Sequence, residues 1–169
     1  MKSTTLLPAA LAALLLSGCA SYDGAGLRPG VATEHDVVGL MGQPAMSWGT
    51  ADGARVLAYP RGPEGYQTYF AAIAPDGKLA GITNVLTDKH FTRIQPGMSK
   101  TQVLHLIGPP YAPWTAYFKA RDELVWEWRY CSALKEASYF DVLFDASTGK
   151  VRSTQSRVQN CGRGECWCS

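Results

Sequence analysis

The chain has 169 residues, 46% hydrophobic, 18% charged and 11% aromatic, a composition that fits one or two small folded domains and excludes disorder, collagen and coiled coil. Sixteen Lys and Arg against fourteen Asp and Glu leave a formal net charge of +2 with no concentrated basic run, which points away from nucleic acid as a partner. Five Cys in so short a chain bear on the redox compartment it occupies.

At the start, Lys2 precedes an uncharged apolar run, Leu6 to Leu16, followed by Ser17, Gly18 and Cys19. Eleven apolar residues fall short of the roughly 20 needed to cross a bilayer as a helix, so the segment reads as a secretory signal rather than a permanent span. Leu16-Ser17-Gly18-Cys19 resembles the bacterial lipobox, in which small residues before the Cys fit a dedicated peptidase and the thiol is acylated. Residues 1–18 are then a lipoprotein signal peptide, Cys19 the lipidated N-terminus and residues 19–26 a polar tether. The alternative is an ordinary signal peptide that leaves Cys19 free. Ala20, rather than Asp, after the Cys favours an outer-membrane address on the periplasmic face.

The rest of the chain repeats itself. Thr33 to Pro44 overlays Ser99 to Pro110 with a constant offset of 66. Each copy opens on a hydroxyl N-cap, and Asp36 or Gln102 stands three residues later at the capping-box position. Val37, Leu40, Met41 and Val103, Leu106, Ile107 recur at i, i+3, i+4 and predict one buried helical stripe in each copy, ended by Gly42 and Gly108. A further short helix is expected at Asp88 to Ile94. After each helix the period changes to two. Strands are expected at Arg55 to Tyr59, Tyr66 to Ala74 and Leu79 to Leu86, and again at Leu124 to Tyr130, Tyr139 to Asp145 and Val151 to Arg157. The fold class is therefore α+β: two tandem units, residues 27–86 and 87–158, each with one or two short helices packed on a three-stranded antiparallel sheet. Residues 159–169 form a Cys-rich tail.

The run Pro96 to Pro110, followed by Trp126-x-Trp128-x-Tyr130, Phe140-x-Val142-x-Phe144-Asp145 and Gly149-Lys150-Val151, resembles the BamE (SmpA/OmlA) family of small outer-membrane lipoproteins. The resemblance is good over 87–157 and loose over 27–86. It implies two short helices on a three-stranded antiparallel sheet. As a tandem, the architecture is similar to that of the secreted beta-lactamase inhibitor protein, which uses paired repeats to grip an enzyme.

His35, His90 and His105 show no metal-ligand spacing, and no nucleophile elbow, phosphate loop or dinucleotide fingerprint occurs. No enzyme activity, no cofactor and no metal site are expected. Cys131, Cys161, Cys166 and Cys168, an even count in an oxidising compartment, predict two disulfides, with Cys131 bonded to the tail. Thiol or metal chemistry at Cys166-Trp167-Cys168 is the competing reading. Strand alternation turns Phe140, Val142 and Phe144 to the helix, and Glu127, Arg129, Tyr139 and Asp141 to the other face. That face, with Trp167 in the tail, is the candidate partner-binding surface. The expected task is that of a lipid-anchored scaffold meeting an envelope protein, with a hydrolase-capturing inhibitor as the first alternative.

Overall fold

The computed structural model describes residues 23–162 and 166–168. The signal peptide and Cys19 lie outside the described residues, as do residues 163–165 of the tail. Helix α1 (Glu34–Met41) is followed by strands β1 (Met46–Gly49), β2 (Arg55–Pro60), β3 (Thr68–Ile73) and β4 (Leu79–Asn84). Helices α2 (Asp88–Phe91) and α3 (Lys100–Ile107) then lead to β5 (Ala116–Phe118), β6 (Glu123–Cys131), β7 (Ala137–Asp145) and β8 (Lys150–Val158). The protein is α+β, with two antiparallel sheets ordered β1-β2-β3-β4 and β5-β6-β7-β8. Among the described residues no helix is long and apolar enough to cross a membrane.

Both repeat helices form for the reason their sequence suggests. The Thr33 amide donates to Asp36 Oδ2 at 2.8 Å and the Asp36 amide to Thr33 Oγ1 at 3.3 Å. In α3 the Ser99 amide donates to Gln102 Oε1 at 2.8 Å and the Gln102 amide to Ser99 Oγ at 3.2 Å. Two amides left over at each helix start are thereby satisfied. Gly42 and Gly108 close the helices at φ +84° and +77°, a region L side chains rarely adopt.

Each sheet carries one strand more than the three expected. β1 and β5 add at the edge beside β2 and β6, and at four and three residues they are too short for alternation to reveal them. The α1 stripe packs Val37 and Met41 against Leu57, Tyr59, Ala71, Ile73 and Leu79. The second core gathers Phe91, Val103, Ile107, Trp128, Tyr130, Phe140, Val142 and Phe144, with Phe91 stacked on Phe140 at 3.9 Å between centroids.

The back of the first sheet does not face open water. Trp48 on β1 stacks on His105 of α3 at 4.5 Å and meets Phe70 edge-on at 5.1 Å. A Cβ on Gly108 would lie 2.8 Å from Thr68 Cγ2 and 3.2 Å from Phe70 Cε1, so the glycine lets the two units close on each other. Helix α3 thus touches both sheets: Val103 and Ile107 serve its own, His105 and Gly108 the other. His105 is exposed but stacked on Trp48.

The tether is shorter than expected. Gly24 is buried, the Ala25 amide donates to Asp23 Oδ1 at 2.9 Å and the Leu27 amide to Gly24 O at 3.0 Å. Residues 23–26 therefore belong to the folded body, with Gly24 at φ +75° packed beside Ile82, where an added Cβ would push the Ile82 side chain aside.

Candidate functional site

Antiparallel register sets the outer face of the second sheet. Trp128 pairs with Phe140 and Trp126 with Val142 on the helix side, which leaves the alternate pairs Val125 with Leu143, Glu127 with Asp141 and Arg129 with Tyr139 on the other. On β8, Gln155 stands opposite Asp141 and Arg157 opposite Tyr139. Two carboxylates directly across a strand pair repel, so a cation has to sit between them.

Arg157 is that cation. Its guanidinium bonds Glu127 through Nη2, lies 3.5 Å from Asp141 Oδ2 through Nε, and covers the Tyr139 ring at 4.1 Å. Gln155 Nε2 donates to Asp141 Oδ2 at 2.9 Å. Trp114, in a 3₁₀ turn before β5, meets Tyr139 edge-on at 6.0 Å. Further along the face, Arg121 lies over Phe118 at 4.4 Å and pairs with Glu123 at 2.8 Å. Between Trp114, Phe118 and Leu143 the surface is hollowed into a groove of about 550 Å³ with Glu127, Asp141 and Gln155 on its wall.

Asp141 is only 3% exposed, and its Oδ1 has no hydrogen-bond partner among the described residues. Burial holds the Glu127 carboxyl above its ordinary value, Arg157 opposes this, and the neighbouring Asp141 charge adds to it. The cluster thus combines two aromatic rings, a guanidinium and a pair of neighbouring carboxyl groups, with both charge signs a few ångströms apart.

Glu127, Tyr139 and Asp141 are brought together as the sequence reading expected; Arg129 is not part of their cluster. Alternation does send it outward, but β5 pairs with β6 only as far as Val125, and the loop after β2 covers the strand edge beyond. There Arg129 donates to Tyr66 Oη at 2.6 Å, to Gln159 Oε1 at 3.0 Å and to Pro63 O at 3.5 Å. It is a clamp between units, not a free surface residue. Trp114 and Arg157 were missed as site residues. Arg157 could have been found by extending the register to β8, whereas Trp114 sits in a turn with no period.

In the tail, Cys131 bonds Cys168 and Cys161 bonds Cys166, with Cα separations of 5.7 and 5.8 Å. The Ala137 amide donates to Cys166 O at 2.6 Å and the Cys168 amide to Lys135 O at 3.0 Å, which lays the tail along the β6–β7 hairpin. Trp167 stays 64% exposed there, away from the Glu127 cluster. A sulfur in a disulfide is no thiolate ligand. Among the described residues no group of three or more His, Cys, Asp or Glu is arranged to hold a metal.

No protein-family model and no curated protein matches the chain. Among solved structures, an extracellular protein containing a SCP domain from Bacillus anthracis str. Ames aligns with 95% of this chain and 50% of its own, at 10% identity and a TM-score of 0.31. The chain spans about half the length of that protein. A likeness of that order carries no argument about fold or activity.

Proposed function

We propose that this is a periplasm-facing outer-membrane lipoprotein, anchored through Cys19 and similar to a tandem of BamE-like units. In this reading it works without catalysis, as a scaffold that meets an envelope protein through the outer face of its second sheet. The observation that carries the reading is the cluster of Trp114, Tyr139 and Arg157 around the Glu127–Asp141 pair. Trp, Tyr and Arg dominate the energetics of protein interfaces because they offer large rigid area together with a polar end. Antiparallel sheets with helices on one side leave the other side available to such a partner. The signal-like N-terminus and the paired cysteines favour an oxidising compartment beyond the inner membrane.

The test is the double substitution Trp114→Ala with Tyr139→Ala in the full-length lipoprotein. Loss of a copurifying envelope protein, with the melting temperature and the yield of folded protein preserved, is expected. Unchanged copurification would move the functional surface elsewhere, first to Trp167. Recovery of a hydrolase as the partner would instead assign the chain to the inhibitor class. Four reactive thiols in the non-reduced protein would revive thiol or metal chemistry at the tail.

A further inference from the structure

The first described residues are already held. Gly24 has φ +75°, and a Cβ there would run into the Ile82 side chain. Leu27 packs on the first core. From there the chain makes a turn in which the Ala32 amide donates to Arg28 O at 2.9 Å, and it is stitched to β4 by Gly30 N to Leu79 O and Leu79 N to Ala32 O, both 2.8 Å. The β3–β4 turn lies alongside: the Glu34 amide donates to Gly77 O at 3.1 Å, and Thr33 bridges to Lys78. Together these two turns form one tip of the first unit.

The tip has an unusual surface for a turn region. Val31 is 71% exposed, between exposed Arg28 and Lys78. Three nearby acids have hydrogen-bond or ion-pair partners of their own. Asp76 accepts the Lys78 amide at 3.1 Å, Glu34 pairs with Arg55 at 2.9 Å, and Asp36 closes the Thr33 box. Neither Arg28 nor Lys78 forms an ion pair among the described residues. Val31 is thus an exposed aliphatic side chain flanked by two long cationic side chains that outnumber the one acid of the same turns, Asp76, and this fits a layer of phosphate headgroups over acyl chains.

Covalent geometry brings that layer within reach. Five residue steps separate Cys19 from Gly24, a span of at most about 18 Å. With acyl chains on Cys19 the sulfur lies at the bilayer surface, and the body cannot drift away on a long tether. We infer that the tip formed by Arg28–Val31 and Pro75–Lys78 rests on the membrane and is a contact surface for phospholipid headgroups. The inference rests on the reading of Cys19 as the acylated N-terminus. It gives the molecule an orientation, with the first unit held at the bilayer.

The test uses the full-length acylated protein in vesicles of phosphatidylethanolamine and phosphatidylglycerol. A photo-crosslinking amino acid replaces Val31 or, as the comparison, Leu134, which is 74% exposed in the β6–β7 turn of the second unit. Phospholipid adducts at 31 are expected to exceed those at 134 several-fold. The double substitution Arg28→Glu with Lys78→Glu is expected to remove most of that excess. Equal labelling at 31 and 134, in protein whose mass shows acyl chains, overturns the inference while leaving the anchor intact. Cys19 without acyl chains overturns the anchor reading, and the inference with it.

Discussion

The two units carry the same eight-residue helix, opened by the same reciprocal cap and closed by a glycine, yet they build unequal sheets on it. In the first unit the strands run four to six residues, and Leu57 faces Ala71 across the central pair. In the second, three strands run nine residues, and Trp128 faces Phe140. Helix formation depends on neighbours three and four positions apart, so it survives when the sheet changes. Core strength depends on apolar area, about 25 cal/mol per Å², and small alanines supply little of it. The first unit makes up the deficit by leaning on the second, through Trp48 on His105, Phe70 on Gly108, and Tyr66 and Pro63 on Arg129.

Phe144→Ala tests this dependence most severely. Phe144 is fully buried, and a core Phe→Ala change costs about 3–5 kcal/mol. Both units are expected to lose protection together in hydrogen exchange, whereas Leu57→Ala should open the first unit and leave the second protected. Full protection of β2 and β3 in Phe144→Ala would break the comparison.

The closing glycines sharpen it. Both have positive φ, but a Cβ on Gly42 meets nothing within 4 Å, while one on Gly108 meets Thr68 and Phe70. Gly42→Ala should cost about 1–3 kcal/mol, the penalty for an extended positive-φ backbone that essentially only glycine adopts. Gly108→Ala should add overpacking of about 1–3 kcal/mol at the junction, read as a larger drop in the urea midpoint. Equal drops would mean that the junction yields freely.

Arg129→Ala removes donors to Tyr66, Pro63 and Gln159. Hydrogen bonds to a charged group are worth about 1.5–3 kcal/mol when half-buried, and their loss should split one thermal transition into two. Lys at this position should restore only part of the coupling, since an ammonium cannot reproduce the fork of a guanidinium.

The smallest effects are on pH dependence, and two carboxylates of the second sheet should act in opposite directions. Asp145 is held down at about 2 by Arg152 and then by Thr148. Its stabilisation is present above its ordinary value of 3.8 and fades as pH falls toward 2, so Asp145→Asn should flatten the acid limb of melting temperature against pH. Glu127 is raised above its ordinary value of 4.5, chiefly by burial. Folding then favours its proton, and stability falls as pH rises from 4.5 through the raised value. Glu127→Gln should flatten that limb. A steeper limb in the Gln variant would show that the Arg157 pair, rather than burial, governs this carboxyl.

Much of this protein is legible without coordinates where the signal is local. Ser99 with Gln102, and Thr33 with Asp36, specify helix starts because both partners lie within one turn. The alternation of Phe140, Val142 and Phe144 specifies a buried strand face because a strand has period two. The sequence by itself therefore determined the three α-helices, six of the eight strands and which side chains of β6 and β7 share a face. Tertiary structure decided what those neighbours could not. It placed Arg157 between two carboxylates that lie far off in the chain, turned Arg129 from a surface residue into a clamp, and tucked Gly24 against Ile82. Each of those outcomes depends on which edge or gap another segment happens to fill, and no period or spacing along the chain carries that information.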